Sequence, residues 1–173
     1  MTGRRILFLD FDGVLCTENY LEHLQAKGAA TRDADGTLFD PEAVGQLRRI
    51  VDETQCQVVV TSTWRTDGEE RIRRLWANRC MPGRLLGVTP VLLHATYEDP
   101  LSRQLLEKPE WETKGYEVNA WQEMHGKLDD VYAIVDDENP FLNRQQGHLV
   151  QSNEQTGLTE AAASRIIALL KWH

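Results

Sequence analysis

Cysteine is scarce in this chain of 173 residues: Cys16, Cys56 and Cys80 lie far apart and are odd in number. That excludes a disulfide framework and any zinc-ligand spacing, and it predicts small buried or half-buried thiols in a reducing compartment. The five histidines, His23, His94, His125, His148 and His173, show no metal spacing either, and none is assigned a role. Long hydrophobic runs are missing, so no segment reads as a membrane span. Arg4 and Arg5 precede only Ile6 to Phe11, which Asp10 interrupts; that stretch is too short for a secretory leader. A cytoplasmic protein with no membrane contact is expected. Positive charge is in deficit, with a net charge of −8 and a pI near 5.1. A surface that binds nucleic acid over its whole extent is basic, so only a local basic patch is left open. Internal repeats and low-complexity tracts are absent.

What is present reads as an α/β protein. The length and the 41% hydrophobic fraction suit a single domain over residues 1–173 with a sizeable core. Arg5–Phe11, Gln57–Ser62 and Val131–Val135 are runs rich in Val, Ile and Leu, the pattern of strands covered on both faces. His148–Val150 is a shorter fourth strand. Helices fall between them. Asp40 followed by Pro41 is an N-cap with proline at the first helical position, and Val44, Leu47 and Val51 recur at helical spacing up to about Thr54. A second helix runs from Gly68 to Arg79 with Ile72, Leu75 and Trp76 on one face. A third runs from Thr113 to Gly126, a candidate C′ glycine. The last begins at Thr159, with Ala163, Ile166, Ile167 and Leu170 as its apolar stripe. The alternation predicts a Rossmann-like three-layer α/β/α sandwich with a mostly parallel sheet. Residues 16–39 and 81–112 show no clear structure; the second holds four of the six prolines. Both follow strand ends, so 16–39 is expected as a small flap and 81–112 as an irregular insert, neither long enough for a large cap.

Acids and hydroxyls gather at the strand ends. Ile6-Leu7-Phe8-Leu9 leads into Asp10-Phe11-Asp12-Gly13. Strand alternation lets Asp10 and Asp12 share one side of the chain, and Gly13 permits a sharp turn. Carboxylates forced together repel unless a cation joins them, and an oxygen-only pocket suits Mg²⁺. Ala133-Ile134-Val135 likewise exits into Asp136 and Asp137. Val58-Val59-Val60 ends in Thr61-Ser62-Thr63-Trp64-Arg65. A hydroxyl there can donate to a phosphate oxygen, Ser62 being favoured and Thr61 the runner-up. Lys114 stands at a helix start, where it opposes the macrodipole unless an anion is bound beside it. In an open parallel sheet, ligands sit at the carboxyl ends of the strands, where all these residues fall.

The ordered set Asp10-Phe11-Asp12-Gly13, Ser62, Lys114 and Asp136-Asp137 resembles the four motifs of the haloacid dehalogenase (HAD) superfamily, and the second aspartate points to its phosphatase branch. Three segments are similar to the HAD domain of Swiss Army Knife RNA repair proteins: Val60 to Arg65, Thr113 to Trp121, and Thr156 to Thr159. The resemblance implies a Mg²⁺-dependent phosphomonoesterase working through an aspartyl-phosphate. Asp10 would be the nucleophile and Asp12 the acid and base. The metal would be held by Asp10, the backbone carbonyl of Asp12, Asp136 and Asp137. Ser62, Thr61, Lys114 and Gly13 would attend the phosphoryl group.

Residues 65–84 carry six arginines against three acids, with Trp64 beside them and Trp76 among them as aromatics able to stack on a base. Trp64 and Arg65 are therefore candidate substrate contacts, suited to a nucleic-acid 3′-phosphate end. The bland alternative is a solvated helix with Trp76 in the core, and the substrate would then be a small nucleotide or sugar phosphate. Two other classes fit the sequence less well. A signalling receiver places its phosphoacceptor on a middle strand and its lysine last, unlike the order here. A catalytically idle phosphate-binding module would have no use for the complete acid set. No protein partner is inferable.

Overall fold

The structure, a computed structural model, describes residues 3–92 and 113–171. Five parallel strands form one sheet: β1 (Arg5–Leu9), β4 (Gln57–Val60), β5 (Arg84–Val88), β6 (Val131–Asp136) and β7 (Leu149–Gln151). Their order is β5-β4-β1-β6-β7. The chain reverses its direction of sheet growth at β1, so the crevice above β1 is the switch point where such sheets take ligands. Two short antiparallel strands, β2 (Arg32–Asp33) and β3 (Gly36–Thr37), form a separate hairpin.

The helices are α1 (Glu18–Ala26), α2 (Pro41–Thr54), α3 (Glu69–Asn78), α4 (Thr113–His125) and α5 (Glu160–Lys171). Alternation along β1 feeds two cores. Leu7 and Leu9 join Leu47 and Ile50 of α2, Ile72 and Leu75 of α3, and Ala163 and Ile166 of α5. Ile6 and Phe8 face the other way, onto Val118 and Trp121 of α4. Phe8 meets Trp121 edge-on, with ring centroids 5.4 Å apart. The Rossmann-like α/β class expected from the sequence is what the chain adopts, with the main sheet wholly parallel.

Several details differ from the sequence reading. β1 and β4 stop at Leu9 and Val60, so Asp10, Asp12, Thr61 and Ser62 lie just beyond their strands, whereas Asp136 is the last residue of β6. The segment 16–39 is ordered into α1 and the β2–β3 hairpin. Thr17 caps α1, and its hydroxyl donates to Asp40 Oδ2 at 2.7 Å. Asp40 in turn caps α2, accepting from the Glu42 amide at 2.9 Å. The insert 81–112 contains β5, which Pro82-Gly83 and its position at the sheet edge disguised; residues 93–112 lie outside the described residues. Cys16 and Cys56 are buried, whereas Cys80 is exposed. Among the described residues no helix is long and apolar enough to cross a membrane.

Candidate active site

The parallel register sets one row of residues across the carboxyl ends of the strands. Leu9 pairs with Val60 and with Val135, and Val60 with Val88. The ladder continues: the Asp10 amide donates to Val135 O at 3.1 Å, Thr61 N to Leu9 O at 2.9 Å and Thr89 N to Val60 O at 3.0 Å. Thr89, Thr61, Asp10 and Asp136 therefore stand side by side. Lys114, at the first turn of α4, bridges two of them. Its Nζ donates to Asp10 Oδ2 at 2.8 Å and to Asp136 Oδ2 at 2.7 Å.

Three carboxylates converge. Asp10, Asp136 and Asp137 each offer an oxygen, and the three oxygens lie within 4.8 Å of one another. Asp10 and Asp136 are buried, and Asp137 is half-buried. Burial and the charge of Asp10 push the Asp136 carboxyl up to about 7, against the opposing pull of Lys114. Burial, then Asp10, likewise raises Asp137. Burial alone would lower Lys114, but Asp10 and Asp136 outweigh it and hold the ammonium charged far above neutral pH. One cation shared by three crowded acids leaves the cluster short of positive charge. An all-oxygen, divalent-ion site fits that deficit and that donor set.

The turn after β1 is tight. The Phe11 carbonyl accepts from the amides of Val14, Leu15 and Cys16 at 2.8–3.2 Å. Gly13 has φ +67°, and a Cβ there would lie 2.3 Å from the Asp137 carboxylate. Glycine is thus required twice over, by conformation and by the acid pressed against it. Gly157, at φ +61°, lets its loop close on this turn: a Cβ would stand 2.4 Å from Val14 O. Ser152 Oγ donates to Gly13 O at 2.8 Å. Neither tie was foreseen, since each joins residues over 130 positions apart.

Asp12 turns away from the acid cluster. Its Oδ2 accepts from Trp64 Nε1 at 2.9 Å. Partial desolvation raises its carboxyl above the ordinary range; Trp64 opposes this, and the charge of Asp10 adds to it. Trp64 itself packs edge-on against Phe11 and beside Phe39, with centroids 5.6 and 5.9 Å away.

Two sequence expectations change here. Ser62 was favoured over Thr61 as the hydroxyl donor. Ser62 Oγ instead caps the 3-10 turn Thr63–Asp67, accepting from the Trp64 amide at 3.3 Å. Thr61 stands beside Asp10, and its buried hydroxyl has no hydrogen-bond partner among the described residues. The geometry favours Thr61, because an unmet buried donor is costly unless a ligand satisfies it. Arg65, expected as a substrate contact, is turned inward and 5% exposed. It donates to Thr89 O at 3.1 Å and Ser62 O at 2.8 Å and pairs with Glu117 on α4. Trp76 is buried, with Nε1 on Gly83 O at 3.2 Å, so it is not a base-stacking platform. Three of the other arginines of 65–84 are ion-paired: Arg71 with Asp67, Arg73 with Glu69 and Arg79 with Asp33.

A family model for the HAD domain in Swiss Army Knife RNA repair proteins matches residues 6–163. The chain belongs to that HAD family. The match takes in every residue of the site just described and supports a HAD-type hydrolase. No curated protein and no solved structure matches the chain significantly. Within this HAD domain, Thr89 joins the row of candidate site residues without having been singled out from the sequence. It lay in a segment read as irregular, and only the register of β5 brings it beside Thr61.

Proposed function

We propose that this HAD domain is a Mg²⁺-dependent phosphomonoesterase that works through an aspartyl-phosphate, with nucleic-acid 3′-phosphate ends as its substrate. The observation that carries the reading is the convergence of Asp10, Asp136 and Asp137 under the bridging Lys114. Asp10, the backbone of Asp12, Asp136 and Asp137 would hold the ion, which supplies charge neutralisation at the transferring phosphoryl group. Asp10 attacks phosphorus; an Asp10 oxygen–phosphorus bond forms and the ester P–O bond breaks. Asp12, its carboxyl raised so that it can carry a proton, donates that proton to the leaving oxygen. It then takes a proton from the water that attacks the phosphoaspartate, releasing phosphate and free Asp10. Lys114 and the Thr61 hydroxyl, with Ser62 beside it, stabilise the phosphoryl oxygens, and Gly13 lets the backbone turn beneath them. In this reading, residues 1–173 form one hydrolase domain, 16–39 is its flap, and the unpaired cysteines accord with a cytoplasmic location.

The test is Mg²⁺-dependent phosphate release from a 3′-phosphorylated oligonucleotide, a 5′-phosphorylated one, a mononucleotide and phenyl phosphate. Release from the 3′ end alone is the expected result. Release chiefly from the small esters would make this a metabolite phosphatase, and none from any would overturn the catalytic reading.

Metal binding should depend on pH. A carboxyl raised to about 7 in the fold binds its proton more tightly than in the unfolded chain. Its stabilising contribution is complete below the ordinary aspartate range near 3.8 and is lost as pH rises through 7. A Mg²⁺ ion held by Asp10, Asp136 and Asp137 would take the place of that proton. Thermal melts should show Mg²⁺ raising Tm clearly at pH 8 and little at pH 5; equal shifts at both would remove Asp136 from the metal set.

A further inference from the structure

The space beside Asp12 is the place for the leaving group, because that group's oxygen must reach the Asp12 carboxyl. A cavity of about 530 Å³ opens there, lined by Asp12, Trp64, Thr37, Thr63, Arg32 and Arg71 among others. That volume lies within the range of small-ligand pockets. One wall is the β2–β3 hairpin, where Arg32 and Thr37 are cross-strand partners sharing one face. The hairpin is pinned to α3: Arg79 donates to Thr37 O at 2.9 Å and Gly36 O at 3.2 Å and pairs with Asp33 at 2.7 Å. Asn78 donates to the Asp35 carboxylate at 3.1 Å. Gly36 packs on the Trp64 ring. The wall is therefore held before any substrate arrives.

Two arginines, Arg32 and Arg71, and two aspartates, Asp12 and Asp67, line the cavity. Arg71 is oriented by Asp67, which also lines the cavity, and stands 6.0 Å from the Trp64 centroid. Arg32 is exposed and has no carboxylate within 4.0 Å among the described residues; the one hydrogen bond of its side chain among them is to Thr37 Oγ1 at 3.4 Å. A guanidinium so placed is a ready contact for an oxyanion. Resting on the phosphatase reading above, we infer that this cavity is a leaving-group subsite, in which Arg32 with Arg71 takes a second phosphate on the alcohol being released. The substrate class is then a nucleoside 3′-phosphate that also bears a 5′-phosphate, whether a free bisphosphate or the last residue of a nucleic-acid strand.

The test compares kcat/KM in Mg²⁺ for a nucleoside 3′,5′-bisphosphate, a 3′-phosphorylated oligonucleotide and a nucleoside 3′-monophosphate. Wild type should prefer the first two over the third by about tenfold, the worth of one charge-assisted contact. Arg32→Ala should remove most of that preference and Arg32→Lys restore part of it. A preference carried by the bisphosphate alone identifies a small nucleotide as the source; one carried by the oligonucleotide identifies a strand end. No wild-type preference, or one that Arg32→Ala leaves intact, overturns the inference. Calorimetric binding of the bisphosphate to Asp10→Asn, with and without Arg32→Ala, separates the two failures. If no ester is hydrolysed, the phosphatase reading falls; a roughly tenfold weaker binding on losing Arg32 still supports the subsite, and equal binding overturns it.

Discussion

Asp10→Asn is expected to reduce phosphate release by about 10⁴-fold or more, the scale on which loss of a nucleophile is felt, while the fold keeps its stability. The amide is isosteric, and its oxygen can go on accepting from the Phe11 amide, as Asp10 Oδ1 does at 2.8 Å. Its NH₂ would then face Lys114, which retains Asp136 at 2.7 Å. Removing one charge from a crowded acid cluster also relieves repulsion that Asp10 exerts on Asp136, Asp137 and Asp12. Metal-free Tm should therefore stay within about 3 °C of wild type, equivalent to about 1 kcal/mol for a domain of this size. Phosphate release and a thermal melt on the same sample check both halves. Near-normal turnover would end the assignment of Asp10 as nucleophile. A collapsed melt would show that the acid is needed by the fold, and the lost activity would then say nothing of chemistry.

Glu117→Ala should unfold the protein at a much lower temperature. Glu117 and Arg65 form an ion pair whose side chains are only 4% and 3% exposed. Burial raises the Glu117 carboxyl, and Arg65 pulls against that. Glu117 Oε1 also accepts from the Leu92 amide at 3.2 Å, tying α4 to the chain beyond β5. Truncation would leave the Arg65 charge buried and unpaired, a loss of about 3–5 kcal/mol. That corresponds to a fall in Tm of roughly 10 °C or more. Lys114 lies one helical turn before Glu117, so a loosened α4 should also weaken the bridge over Asp10 and Asp136. Thermal or urea unfolding reads the first effect. A Tm within about 2 °C of wild type would mean the pair holds nothing together. Replacing both partners with apolar residues of similar volume should recover much of the stability, because no charge is then left stranded.

Much of this site was legible in the chain itself. β1, β4 and β6 announce themselves as unbroken apolar runs, since strands buried on both faces need no polar alternation. Acids directly after such runs must lie at strand ends, so Asp10, Asp136 and Asp137 could be grouped before any fold was known. Asp40-Pro41 marked the start of α2 correctly, because capping is a local interaction. Other features were hidden for equally physical reasons. β5 begins after Pro82-Gly83 and lies at the sheet edge, and β2 and β3 are two residues each, too short for any periodicity. Ser62 and Thr61 are adjacent hydroxyls, and a difference of one residue in register decides which faces Asp10. Arg65 looked like a surface cation because its partner Glu117 is 52 residues away.

By itself the sequence determined the α/β class, the strands that carry the acids, and the residue types able to hold a metal and a phosphoryl group. These follow from local hydrophobic pattern and from chemistry that neighbours along the chain already display. Only the tertiary structure decided that Thr61 and Thr89 share the row of Asp10, that Arg65 belongs to the interior, and that Asp12 leans on Trp64 rather than on the acid cluster. It also decided that Arg32, unremarkable in sequence, faces the cavity beside Asp12. Each of these depends on sheet register or on a contact across many residues, and such pairings are settled by packing the whole chain at once.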